Sequence, residues 1–186
     1  MGLFFAPFSA CQEVDLEIKN TLPPAWAEEV IWYQIFVERF HNGDTSNDPR
    51  PIDIAGAYAN PLPANWKTTP WGQDWYADDA YFAALDSLKD WNGNPINTFD
   101  AKLQFRRYGG DLAGVLQKLD YLDSLGVTAL YFNPINDAPS LHKYDARNWR
   151  HIDINFGPSP DADKEIIAQE DPADPSTWRF TSADSL

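Results

Sequence analysis

The sequence predicts an α/β fold built on one strand–helix–strand unit, and three observations carry that expectation. Val30-Ile31-Trp32-Tyr33-Gln34-Ile35-Phe36-Val37 is β-branched and aromatic without clean alternation, the pattern of a strand covered on both faces in a parallel sheet. Val127-Thr128-Ala129-Leu130-Tyr131-Phe132, bounded by Gly126 and Pro134, is a second run of the same kind. Between them Leu112, Val115, Leu116, Leu119, Leu122 and Leu125 recur at spacings of three and four, which makes one apolar helix face over 111–125. Asp111 suits the N-cap of that helix, and Gly126 suits the position past its end. A right-handed crossover is expected between the strands.

The connections are unusual. From His41 to Tyr108 runs an excursion far longer than ordinary strand-to-helix loops. It carries Trp66, Trp71, Trp75 and Trp91, so it is expected to fold back over one end of the sheet, with a short helix near Ala80–Leu88. Residues 138–160 are polar and aromatic without a period. Residues 161–177 read as an acidic, proline-containing surface insertion, and Thr181-Ser182-Ala183-Asp184 as a helix start with almost no helix behind it.

Composition narrows the classes. The chain has 186 residues, 44% of them apolar and 15% aromatic, which excludes disorder throughout. It has 28 acidic against 14 basic residues, a formal charge of −14, so a nucleic-acid partner is not expected. A single cysteine, Cys11, excludes an internal disulfide, and with three histidines a histidine-rich zinc site is not expected either. No stretch approaches the length of a membrane span. The apolar start ending in Phe8-Ser9-Ala10-Cys11 lacks the basic residues of a signal peptide. We expect an N-terminal arm or the remnant of an upstream domain over 1–28. Cellular location is left open.

Three groups of residues could carry chemistry. Asn42-Gly43-Asp44-Thr45-Ser46-Asn47-Asp48 places four asparagine or aspartate side chains within seven residues. Such a loop could supply hard oxygen ligands to calcium or be a solvated turn. Tyr108-Gly109-Gly110-Asp111-Leu112 reads as ordinary helix capping or as part of a ligand set. His142-Lys143-Tyr144-Asp145 follows the second strand. An aromatic face there could stack on a sugar while His and Asp bond hydroxyls, or the tyrosine could simply pack on the domain.

Taken in order, these segments resemble the α-amylase superfamily, glycoside hydrolase family 13, and within it the neopullulanase, cyclomaltodextrinase and maltogenic amylase branch. The likeness rests on Trp32 to Asp44, Tyr108 to Gly114, Gly126 to Ile135, His142 to Asp145 and Ile152 to Gly157. Asn133, where threonine or serine is usual, and Asn148-Trp149, in place of an Asp-Tyr pair, depart from it. The resemblance implies the N-terminal portion of a (β/α)8 TIM barrel: first strand at 30–37, first helix at 111–125 and second strand at 127–133. A complete barrel needs about 250 residues, so 29–186 is expected to be the start of a catalytic barrel, truncated before its third strand. It further implies a structural calcium ion held by Asn42, Asp44, Asn47, Asp48 and Asp111 with the carbonyl of Gly109. Substrate contact is implied at Tyr144, stacking on the sugar ring, with His142 and Asp145 beside it.

The family's catalytic carboxylates come from later strands. A retaining double displacement needs both a nucleophile and an acid. The expectation is therefore a piece of a retaining enzyme acting on α-1,4-glucans, such as starch, maltooligosaccharides, cyclodextrins or pullulan, inactive as an isolated chain. A non-catalytic carbohydrate-binding module, using the tryptophan-rich 58–91 region, is the alternative. Open parallel edges predict self-association, or local disorder at 1–28 and 158–186.

Overall fold

The structure is a computed structural model that describes residues 24–58 and 60–186. It divides into two compact units, Met1–Val30 and Ile31–Leu186. Within the first, the described residues hold a 3-10 turn at Ala25–Ala27. The arm expected over 1–28 lies, up to residue 23, outside the described residues.

The second unit begins with strand β1 (Trp32–Ile35) and the one-turn helix α1 (Val37–Phe40). Helices α2 (Phe82–Leu85) and α3 (Phe99–Leu103) lie in the long excursion. Helices α4 (Leu112–Gln117) and α5 (Leu119–Ser124) precede strand β2 (Ala129–Phe132). A short ribbon, β3 (Asn136–Asp137) and β4 (Asn148–Ile152), and helix α6 (Pro160–Ala168) complete it.

β1 and β2 pair in parallel, Trp32 opposite Ala129 and Ile35 opposite Phe132, as the strand–helix–strand pattern requires. Two side chains extend the pairing. The Ile31 amide donates to the Thr128 hydroxyl at 3.0 Å, and the Gln34 amide donates to Asn133 Oδ1 at 2.6 Å. The core against this strand pair is Ile35, Val37, Val115, Leu122 and Phe156. Trp32 and Tyr131 on the strands, and Leu116, Leu119 and Leu125 on the helices, remain about half exposed.

The first helix differs from its expected form. It breaks at Lys118, whose backbone (φ −105°, ψ 4°) leaves the helical region and whose amide bonds Val115 O, three residues back, at 3.0 Å. Val115 and Leu122 stay buried on either side of the break.

The excursion has a core of its own: Ile54, Trp66, Tyr81, Phe82, Leu85, Ile96 and Phe105. α2 is the short helix expected near 80–88, trimmed to four residues. A fully buried arginine, Arg106, ties the segment together. It donates to Asp79 at 2.6 Å, Trp75 O at 2.8 Å and Ala77 O at 2.6 Å.

The 161–177 region is more regular than a surface insertion. Pro160 at the first helical position and Asp161 and Asp163 in the first turn start α6, an arrangement favoured by proline's fixed φ and by the helix dipole. Buried Asp163 then accepts from the Ser182 amide (2.7 Å), the Ser182 hydroxyl (2.8 Å) and the Ala183 amide (3.2 Å). The segment 158–186 is thus built into the fold, contrary to the disorder expected there. The 181–184 helix start is a single turn.

Candidate functional site

The loop after β1 and the turn before α4 meet at one carboxylate. Asp111 is fully buried. Its Oδ1 accepts from the Gly114 amide (2.6 Å), capping α4, and from the Gly43 amide (3.1 Å). Its Oδ2 accepts from the Asp44 amide (2.9 Å) and Asn47 Nδ2 (3.1 Å). Gly43 lies so close to the α4 backbone that a Cβ would overlap Ala113 and Gly114. Gly109, in the left-handed region at φ 71°, brings its backbone against the Asp48 carboxylate and Asn42 amide.

Two buried oxygens at this junction, Asn42 Oδ1 and Asn47 Oδ1, have no hydrogen-bond partner. Leaving a buried acceptor unmet costs free energy. Burial, first, and then the like charges of Asp111, Asp44 and Glu38 hold the Asp48 carboxyl above its ordinary range, although Asn42 Nδ2 donates to it at 2.6 Å. Asp44 is different. Its carboxylate is engaged by the Ser46 hydroxyl (2.6 Å) and amide (2.9 Å), and the hydroxyl, then the amide, lower its pKa. Among the described residues no three His, Cys, Asp or Glu side chains converge as a metal cluster. The oxygens on offer are mainly amides.

The loop after β2 is closed by the β3–β4 ribbon, with Arg147 bonded to Asp137 (2.9 Å) and to Asp53 O (2.9 Å). Lys143 sits in the left-handed region, φ 61°, and is buried. Its ammonium reaches Asp153 Oδ2 at 2.6 Å and Ala138 O at 2.9 Å. With that side chain drawn inward, His142, Tyr144 and Asp145 are left exposed on the loop. Tyr144 is 67% exposed, and its ring lies 5.7 Å from that of His142. Ser140 Oγ bridges His142 Nδ1 (3.0 Å) and Asp145 Oδ1.

The three candidate sugar-contacting residues therefore share one loop. Ser140, Lys143 and Asp153, which hold it, were not anticipated. A lysine between two polar neighbours in a loop carries no sequence signal of burial. Asp153 had one, since it stands between Ile152 and Ile154.

A second buried polar junction joins β4 to the chain beyond α6. His151 is 3% exposed, with Nδ1 at 2.7 Å from Asp184 Oδ2 and Nε2 at 2.9 Å from Glu170 Oε2. Burial opposes charge on the ring, but the hydrogen bonds to Glu170 and Asp184 outweigh it and raise the His151 pKa. Burial likewise opposes the Glu170 charge, yet Arg150 (2.8 Å) and His151 bring it down to about 2.

The parallel strands, whose following loops carry these groups, define a class of α/β protein with its polar and aromatic residues gathered on loops after strand ends. A family model described as "Alpha amylase, catalytic domain" matches residues 34–171. The amylopullulanase of Thermoanaerobacterium saccharolyticum is 35% identical over 161 residues, 82% of this chain and 11% of that protein. Neopullulanase 2 of Thermoactinomyces vulgaris is 41% identical over 137 residues, 74% of this chain and 16% of its own length. A Bacillus cyclomaltodextrinase is 36% identical over 135 residues, 73% of this chain and 17% of its own. This chain belongs to the alpha-amylase catalytic-domain family. That domain is a TIM barrel, the parallel β1–β2 pair is consistent with an incomplete one, and the family is one of glycoside hydrolases. The chain spans roughly a tenth to a fifth of the length of these curated relatives.

Among the described residues no helix is long and apolar enough to cross a membrane.

Proposed function

We propose that this chain supplies the first strand (β1), first helix (α4–α5) and second strand (β2) of a (β/α)8 barrel in a retaining glycoside hydrolase acting on α-1,4-glucans. The observation that carries the reading is the exposed Tyr144 ring on the loop that follows β2. Because β1 and β2 run parallel, the loops after both leave from the same end of the sheet, the end where barrels of this kind bind substrate. Tyr144 would stack on a glucose ring, with His142 and Asp145 placed for its hydroxyls. The half-exposed Trp32, Tyr131, Leu116, Leu119 and Leu125 fit surfaces that further barrel elements cover, since parallel sheets are normally buried on both faces. They also fit self-association of the isolated chain.

Retaining hydrolysis uses two carboxyl groups about 5–5.5 Å apart across the sugar. Here the Asp145 carboxylate beside Tyr144 is engaged by Ser140. On this reading the 186-residue chain binds glucan and does not cleave it. Calorimetric titration with maltooligosaccharide and a reducing-sugar assay test both halves. Binding that Tyr144→Ala weakens, with no turnover, is expected. Turnover by the chain purified free of amylase would overturn its inactivity, and absence of any binding would overturn the glucan role.

The junction at Asp111 is the proposed calcium site. The support is chemical: calcium takes six to eight oxygen ligands, amide and carbonyl included, and the unmet oxygens of Asn42 and Asn47 are of that kind. Those two, the Asp48 carboxylate and the Gly109 carbonyl would hold the ion. Asp44 and Asp111 would share oxygens already serving backbone donors. The ion's role would be structural, pinning the two ends of the excursion.

A further inference from the structure

We propose that the cavity between the excursion and the loop after β2 binds one glucose unit of an α-1,4-glucan, with the Trp91 indole as its stacking face. The proposal rests on the glucan reading above and adds a subsite to it. The cavity measures about 270 Å³ and is lined by Tyr58, Ile96 and Phe105 from the excursion, by Ser140 and His142 from the loop, and by Trp91. A small concave site with apolar walls and a few polar groups is the form small-molecule sites take. It suits a sugar, whose C–H faces pack on rings and whose hydroxyls need partners at the edge. Tyr58 and Phe105 stack at 3.9 Å with an interplanar angle of 16°, so the aromatic wall is a packed surface.

Trp91 is the second observation. It is 69% exposed, yet the turn that carries it is tightly made. Asp90 Oδ1 accepts from the Asn92 amide (2.8 Å) and the Asn94 amide (2.8 Å), and Oδ2 from Asn94 Nδ2 (3.0 Å). The Asp90 amide donates to Asn94 O at 2.9 Å, Lys89 bridges Pro95, and Asn60 Nδ2 donates to Lys89 O at 2.7 Å. The backbone that carries the exposed indole is therefore set by a preformed turn. An exposed ring on a preformed turn beside an aromatic-lined cavity leaves less backbone entropy to lose when a ligand arrives.

Occupancy by a neutral sugar follows from charge and position. The Asp90 carboxylate is consumed by its own turn, and the remaining wall is aromatic, aliphatic or neutral polar apart from His142. His142 lines the cavity while its ring stands 5.7 Å from that of Tyr144, so the cavity and the Tyr144 ring adjoin through His142.

The test is a maltotriose titration of the ¹⁵N-labelled chain, following the indole N–H signals, with Trp91 assigned by Trp91→Phe. The expected result is a saturable shift of the Trp91 signal. Trp91→Ala should weaken affinity roughly fivefold to tenfold, and Trp91→Phe, which keeps a ring, should retain most of it. Circular dichroism checks that each variant is folded. If maltotriose binds and Tyr144→Ala weakens it while the Trp91 signal stays still and Trp91→Ala binds normally, the cavity is no subsite and the glucan reading stands. If cellotriose shifts Trp91 equally, the α-1,4 assignment falls. If maltotriose does not bind the wild-type chain at all, both fall together.

Discussion

Two of the buried polar junctions among the described residues are satisfied in different ways. At Asp111 one carboxylate receives two backbone amides from the loop after β1, one from α4 and one asparagine amide, while the oxygens of Asn42 and Asn47 go unmet. At His151 an imidazole, cationic when protonated, stands between two carboxylates, and both of its nitrogens are used. The first junction is rich in acceptors and suits an added cation. The second has a titratable ring within the chain, so its charge balance depends on pH. Charge can be balanced by a ligand or by a residue, and the two choices leave different experimental signatures.

The largest effect should come from Asp111→Ala. It strips the shared acceptor from four donors, and we expect a loss of about 3 kcal/mol or more, read from urea unfolding. A loss under about 1 kcal/mol would mean that the junction is not the tie described here. Next is calcium. At a hundredfold excess over its Kd, an ion bound only to the folded chain adds about 2.7 kcal/mol, or roughly 5–10 °C in Tm for a chain of this size. Asn42→Ala and Asn47→Ala should each abolish most of that gain. A Tm indifferent to both calcium and chelator would show that the comparison with an ion-completed junction is wrong.

His151→Gln should cost about 1–3 kcal/mol at pH 5.5. The folded-state pKa of His151 is raised above 6.5, so its contribution is complete below 6.5 and is lost as pH rises through the folded value. Glu170 is held at about 2 against an ordinary 4.5, so its contribution is complete above 4.5 and is lost only on strong acidification. The junction is therefore firmest between these limits. Stability measured from pH 5.5 to 8.5 should fall in the wild type and stay flatter in His151→Gln; parallel slopes would remove the charge from the argument. The smallest effect on the fold should be that of Tyr144→Ala, within about 0.5 kcal/mol, because the ring is exposed and its loop is held by Lys143 and Asp153.

The parts of this structure legible in the sequence are those with a local signature. The two apolar runs became parallel strands with Gln34 the single polar residue among the paired positions, and Asp111 became a cap because a glycine turn precedes it and an apolar helix follows. The break at Lys118 was hidden, since Val115 and Leu122 remain on one buried face whether or not the helix is continuous. α6 had a legible start in Pro160 and Asp161, masked by the acidic and proline-rich stretch that follows. His151 gave no signal: its partners lie 19 and 33 residues away, and no local pattern reports such a meeting. The loop bearing Tyr144 was legible by its order after the second strand, whereas the lysine that holds it inward was not.

The bond from Gly43 to Asp111 joins positions 68 residues apart, and the segment between them has its own core. The entropy of closing such a loop grows only logarithmically with its length, about 0.6 kcal/mol per doubling. The excursion is in that sense a cassette. A change in its length alone costs the fold little, whereas its ties to the later chain, Arg147 to Asp53 O and Arg50 to Asp161, have to be kept along with Gly43 and the glycine-aspartate turn. Trp91 belongs to the excursion and Tyr144 does not, so if both rings meet a sugar, the fit at one end of it could change over generations while the other ring stays as it is.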